Sequence, residues 1–303
     1  MRTSSERRRR FRARAMAVAV LAGAGVAFAH TATGPATAGP GPVLAAGPGG
    51  HSLPDPAAPA GTATNPATNP AENPTENPAK NTAPNPILPF NAKLVSDDIP
   101  VPGGGVRSGA CSGSLIAPRW VITAGHCFHD VNEVRVGGRP QYTMTVTVGK
   151  LKDSDPGGHT AEVVDVRQSP VNDLALAELS TPVEDVVPVR LPGTRPTVGE
   201  QLQFAGWGSH SATVLGPSDH LKRGRFRVSA VDATTLEALP VGTRTVENGP
   251  CPEDSGGPFF VSDDDHTGTL VAIVNTGPPC PGPGAETIAR VDVVAGWIRE
   301  QIG

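Results

Sequence analysis

The sequence predicts an all-β fold, a sandwich or barrel followed by one terminal helix, and three observations carry that expectation. From about residue 90, short β-branched runs alternate with clusters of Gly, Pro, Asp and Asn. A helical period shows only at the end, where Val293, Val294, Trp297, Ile298 and Ile302 fall on one face. All three Trp, the one Tyr and all four Cys lie beyond residue 88. About 216 residues are therefore left for a core, enough for one all-β domain over 88–303.

Strand candidates include 120–123, 142–148, 161–166, 202–205, 225–231 and 269–274, with β-branched and aromatic residues that fit a pleated, half-buried surface. A train of strands with one terminal helix excludes a doubly wound nucleotide-binding fold, and no Gly-rich phosphate loop is visible.

Residues 1–29 read as a signal peptide. Arg2, Arg7, Arg8, Arg9, Arg10, Arg12 and Arg14 make a basic segment, the apolar stretch 15–29 follows, and Ala27-Phe28-Ala29 suits a signal-peptidase site. Arg8-Arg9-Arg10-Phe11 also fits the core of a twin-arginine signal, so both export routes stay open. The stretch is short for a permanent span, although an uncleaved anchor is the alternative. No apolar run of eighteen residues follows it, so no membrane partner is expected after signal cleavage. Without these 29 residues the formal net charge moves from −4 to −10, which repels phosphate backbones and argues against nucleic acid.

Residues 30–87 hold 13 Pro and no aromatic, with an Asn-Pro beat at Asn65, Asn69, Asn73, Asn77 and Asn85. Each Pro biases its neighbour away from helix, and too little apolar surface exists to offset the entropy of ordering. A disordered spacer or propeptide is expected, with a reach of up to ~180 Å at ~3.1 Å per residue. The Ala, Arg, Pro and Gly bias suits a GC-rich gene of bacterial type.

Cys111, Cys127, Cys251 and Cys280 form an even set in an exported chain, so disulfides are the default. Three pairings are possible; Cys111–Cys127 and Cys251–Cys280 each close a short loop around a motif. No clustered His/Cys spacing points to a metal, and no cofactor is expected. His129, His159, His210, His220 and His266 are read as solvent-facing, and Asp263-Asp264-Asp265 as an exposed hairpin tip.

Three segments carry the chemistry: Thr123-Ala124-Gly125-His126-Cys127, Asn172-Asp173-Leu174-Ala175-Leu176, and Cys251-Pro252-Glu253-Asp254-Ser255-Gly256-Gly257-Pro258. Singly, His126 would be a structural histidine, Asp173 a strand-end carboxylate and Ser255 a turn residue. Together, in that order and with these cysteines, they resemble the chymotrypsin/trypsin family of serine proteases. Gly206-Trp207-Gly208, Pro283-Gly284 and the closing helix agree, so the resemblance runs from Cys111 to Gly303. It implies two six-stranded antiparallel β-barrels with a C-terminal helix. It also implies a triad of His126, Asp173 and Ser255 acting on protein or peptide substrates. A hydroxyl is a poor nucleophile until a base takes its proton; an imidazole can do so, and a buried carboxylate fixes its tautomer. Nothing in the sequence signals a dimer, so a monomer is the default.

Three departures qualify the resemblance. Glu253 stands where the family has Gly, at the position whose N–H joins that of Ser255 in the oxyanion hole. A side chain there costs roughly 1–2 kcal/mol in a left-handed conformation, which implies a slowed enzyme. The implied substrate pocket comprises Gly249, Asn275, Thr276, Gly277 and Gly284; Gly249 replaces the trypsin acid and Thr276 the usual Trp. Apolar side chains are therefore expected over Arg or Lys. No Ile-Val-Gly-Gly segment precedes Cys111 to supply an amine for Asp254, and the nearest run, Lys93-Leu94-Val95, lies too close. Another amine or an internal Arg must neutralise Asp254, or the enzyme stays latent. A secreted serine endopeptidase is the leading expectation. A weak or inactive homologue serving as a binding or regulatory protein is the alternative, and a structural envelope protein with a Pro-rich stalk is the third.

Overall fold

Alternation of buried and exposed residues builds two sheets that close on themselves. The computed structural model describes residues 87–303; the expected signal peptide over 1–29 and the spacer or propeptide, Ile87 apart, lie outside the described residues. The first barrel comprises β1 (Asn91–Pro100), β2 (Val106–Ala117), β3 (Trp120–Thr123), β4 (Thr145–Val148), β5 (His159–Gln168) and β6 (Ala175–Leu179). Its order around the barrel is β1-β2-β3-β6-β5-β4. The second comprises β7 (Gln201–Gly206), β8 (Lys222–Val231), β9 (Thr235–Pro240), β10 (Pro258–Val261), β11 (Thr269–Thr276) and β12 (Glu286–Arg290), in the order β10-β11-β12-β9-β8-β7. Every pairing between these strands is antiparallel.

Strand β8 illustrates the pattern: Phe226 and Val228 point inward while Arg225 and Arg227 meet solvent. Phe226 stacks edge-on to Phe259 at 5.0 Å, and Phe204 lies 5.6 Å from Phe259, filling the second barrel with aromatic rings. Leu94, Leu115, Ile122 and Leu176 fill the first. The candidate strand 142–148 is shorter than expected, because Tyr142 leaves the ladder to donate its hydroxyl to Cys127 O at 2.6 Å.

The barrels meet along a seam that fixes the site. Phe90 and Phe260 pack edge to face at 5.4 Å across it. Trp207 donates its Nε1–H to Asn91 Oδ1 at 2.6 Å and its backbone N–H to Ser112 Oγ at 2.8 Å. Helix α1 (Ala295–Ile302) follows a 3₁₀ turn at Asp292–Val294 and buries Ile298 against the first barrel's core. Arg167 clasps the helix end, donating to Gln301 O at 2.5 Å while its guanidinium lies 4.6 Å over the Trp120 ring.

Both disulfides join the expected partners, Cys111–Cys127 and Cys251–Cys280. The Asp263–Asp265 run lies between β10 and β11, as a tip in which Asp264 accepts the N–H groups of His266 and Thr267. His129, expected in solvent, is buried: its ring packs 5.7 Å from that of Tyr142 and its Nδ1 lies 2.8 Å from Asp130 O. No helix among the described residues is long and apolar enough to cross a membrane.

Candidate active site

His126 sits in a 3₁₀ turn, Gly125–Cys127, which ends β3 and is tied to β2 by the Cys111–Cys127 bridge. Asp173 comes from the loop between β5 and β6. Its Oδ2 lies 2.7 Å from His126 Nδ1, and its Oδ1 accepts the His126 backbone N–H at 2.9 Å. One carboxylate therefore holds both the ring and the chain that carries it. Arg135, which the sequence motifs did not single out, adds a contact to Asp173 Oδ1 at 3.3 Å. Burial pushes the Asp173 carboxyl up, but the hydrogen bonds and charge of His126, with Arg135, outweigh this and hold it below its ordinary range. Asn172, next in the chain, is buried and donates to Arg290 O at 2.9 Å, fastening this loop to the second barrel.

Ser255 stands in the loop before β10, held on three sides. Gly256 donates to Val274 O at 2.8 Å, and Ser112 of the first barrel donates its N–H to Ser255 O at 2.8 Å. Asp254 anchors the loop from inside: its carboxylate accepts the Gly208 N–H at 2.7 Å and the Cys251 N–H at 2.8 Å. Its Oδ2 also pairs with Lys222 Nζ, both side chains being wholly buried. Burial pushes the Asp254 carboxyl up, and the Lys222 charge and these N–H groups oppose that. Any Cβ on Gly208 would strike the Asp254 carboxylate, which explains a glycine after Trp207. Gly256 has φ +83°, and a Cβ there would collide with Thr123 Oγ1 and Ser112 O. The Lys93-Leu94-Val95 run lies inside β1, paired on both sides, and supplies no amine to Asp254.

His126, Ser255 and Glu253 line one cavity of about 120 Å³ with Arg107 and His129. No hydrogen bond links Ser255 to the His126 ring among the described residues. Glu253 takes φ +73°, the left-handed conformation that favours glycine. Neither its N–H nor that of Ser255 has a protein acceptor among the described residues. Glu253 Oε2 is buried without a hydrogen-bond partner, and burial pushes its carboxyl above the ordinary range.

On the other side of Ser255 lies a cavity of about 300 Å³, lined by Asn275, Thr276, Gly277, Val274, Pro278 and Glu286 among others. Gly284 is outside that lining. Gly249 is covered by Arg244, whose Nε would lie 2.7 Å from a Cβ there. Arg244 Nη2 lies 2.5 Å from Glu286 Oε1, an ion pair buried at both ends but out of line for a hydrogen bond. A Cβ on Gly277 would strike Glu286 Oε2, so the carboxylate fills the space that this glycine leaves.

The sequence profile described as trypsin matches residues 98–298. The chain belongs to the trypsin family. It is 31% identical over 215 residues to Trypsin 5G1 of Aedes aegypti, covering 64% of this chain and 75% of that protein. It is 31% identical over 211 residues to Kallikrein 1-related peptidase b16 of Mus musculus, covering 63% and 79%. Brachyurin of Leptuca pugilator is 28% identical over 209 residues, covering 64% and 88%. None of these relatives is bacterial, so the bacterial type expected from composition has composition as its sole support. As a member of the trypsin family the chain is a serine-type endopeptidase, and proteins or peptides are its substrates.

The sequence motifs do not reveal the acid that lines this cavity, because they point only to Gly249. Glu286 reaches the cavity from β12, and no motif surrounds it. Burial raises its carboxyl from 4.5 to about 7, more than the Arg244 charge lowers it. Below about pH 7 the neutral carboxyl leaves the Arg244 charge unmatched in the wall, which disfavours cationic side chains; above it the Glu286 carboxylate cancels that charge. Digests of a peptide library at about pH 6 and about pH 8.5 should show cleavage after Lys and Arg rising with pH relative to apolar residues. Glu286→Gln should abolish that rise, and a ratio unchanged by pH in the parent would contradict this role.

Proposed function

We propose that His126, Asp173 and Ser255 act as one catalytic triad in a secreted endopeptidase. The observation that carries this is the fixing of His126 by Asp173 at 2.7 Å beside a cavity that Ser255 also lines. Asp173 occupies Nδ1, which leaves Nε2 to take the Ser255 Oγ proton as that oxygen attacks the substrate carbonyl. The negative oxygen formed then receives the N–H groups of Glu253 and Ser255. The imidazolium returns its proton to the leaving amine, and water hydrolyses the acyl-enzyme by the same route. A Ser–His hydrogen bond absent from the free site is compatible with this, since such bonds often tighten only with substrate. The basic and apolar leader, with two disulfides, supports export. The enzyme is read as a monomer with no nucleic-acid or, after signal cleavage, membrane partner. A fluorophosphonate probe should label the parent chain and not Ser255→Ala. Equal labelling of both, or of neither, would overturn the assignment.

Attenuated turnover is the second part of the proposal, and Glu253 supports it. Its left-handed backbone is strained for a residue with a Cβ, and its buried carboxyl lies beside the oxyanion site. Loss of one oxyanion donor typically costs about 2.7–4 kcal/mol, so partial loss of the Glu253 donor slows the reaction without abolishing it. Because burial favours the neutral acid, the side chain opposes the developing charge less than an exposed carboxylate would. Glu253→Gly should raise kcat/KM for an ester substrate about tenfold, the equivalent of relieving about 1.4 kcal/mol. Equal turnover would remove the handicap. If neither protein turns over while the probe still labels Ser255, the binding or regulatory homologue becomes the better reading.

A further inference from the structure

The loop between β7 and β8 gathers side chains that the hydrolytic chemistry does not use. His210 and His220 stack with ring centroids 4.5 Å apart. Glu247, from the segment after β9, spans both: Oε1 lies 2.5 Å from His210 Nδ1 and Oε2 lies 3.1 Å from His220 Nε2. The other ring nitrogens meet Ser218 Oγ, from His210 Nε2, and the exposed Asp219 Oδ1, from His220 Nδ1, the latter at 2.7 Å. One ligand atom from each of His210, Asp219 and His220 lies within 4.8 Å of the others.

We propose that His210, His220 and Asp219 form a binding site for a divalent transition-metal ion of the zinc class, oriented by Glu247. Two imidazoles and a carboxylate are the donor set that borderline cations such as Zn²⁺ prefer. A tetrahedral ion with bonds of ~2.0–2.1 Å needs its ligands roughly 3.3 Å apart. Asp219, 84% exposed, can swing toward the rings, and slight shifts of the rings close the remaining gap. Glu247 supplies what an ordinary surface ion pair lacks: one carboxylate takes a nitrogen from each ring, fixing both orientations and leaving the opposite nitrogens to the metal. Ser218 Oγ or water can complete the fourth position.

The site is mechanically joined to the nucleophile loop. Ser209 donates its N–H to Pro252 O at 2.8 Å and accepts from Lys222 Nζ at 3.3 Å through its own carbonyl. Ser218 is buried, and its carbonyl accepts from Lys93 Nζ at 2.8 Å. An ion held by His210 and His220 therefore staples both ends of the 207–221 loop beside Asp254 and Ser255.

Titration of the intact chain with Zn²⁺ against a chromophoric chelator, using Ser255→Ala to prevent self-digestion, tests the proposal. One equivalent should bind. His210→Gln and His220→Gln should each weaken affinity at least about tenfold, and Glu247→Gln by about tenfold through lost orientation. His159→Gln, which removes the separate His159–Asp185 pair, should leave affinity unchanged. Zn²⁺ should also raise the Tm of the parent but not of His220→Gln. Absence of stoichiometric binding in the parent overturns the site, whatever the variants do, and so does binding that survives both histidine substitutions. Should a histidine variant fail to fold, Glu247→Gln and the parent titration decide between the two outcomes: weakened binding supports the site, and unchanged binding overturns it.

Discussion

The ion pair between Lys222 and Asp254 is the constraint on which the rest of the site depends. A carboxylate with no exposed atom can stay charged only if something equally buried matches it, and Lys222 does so from the first residue of β8. The match is completed by two backbone N–H groups, from Gly208 and Cys251, so the pair is saturated as well as neutral. Removal of one partner from such a pair typically costs about 3–5 kcal/mol, because the other is left charged and dry. Ser255 follows Asp254 directly, so the energy that holds the aspartate also sets the place of Ser255.

From that point the order spreads through the barrel seam. Gly208, which donates to Asp254, directly follows Trp207, and Trp207 is pinned by Asn91 and Ser112 of the first barrel. Ser112 in turn donates its N–H to Ser255 O, and the Cys111–Cys127 bridge beside it carries the turn of His126. Asn172 closes the circuit by tying the Asp173 loop to β12. Ser255 and the loop of Asp173 are thus positioned by contacts that cross from one barrel to the other, while His126 is held within the first.

The sequence made some of this legible and hid the remainder for identifiable reasons. His126, Asp173 and Ser255 stand in contiguous motifs, and short loops flank them, so their types and order could be read directly. The Cys pairs could be read because each brackets such a motif. The terminal helix was visible from the spacing of Trp297, Ile298 and Ile302. Closure into two six-stranded barrels was not visible in periodicity and came from resemblance, since strands such as β1 and β12 carry mixed burial patterns. Lys222 looks like one basic residue among several at the start of a strand, and its partner lies 32 residues away. Glu286 and Arg244 are equally silent, because a buried charge pair across 42 residues leaves no local pattern. His129 misleads for the opposite reason: a lone histidine gives no sign that Tyr142 and Asp130 will enclose it.

The family's usual device for matching this aspartate is a chain terminus released by cleavage, and here an internal amine already occupies the place. The most direct measurement is the rate of fluorophosphonate labelling of the unprocessed chain with its α-amine acetylated, compared with the same chain bearing Lys222→Met. If Lys222 serves as the counter-ion, the acetylated chain labels as fast as material with a free terminus, while Lys222→Met labels at least about tenfold more slowly. Labelling that requires a newly exposed terminus, or that proceeds equally well without Lys222, would contradict it.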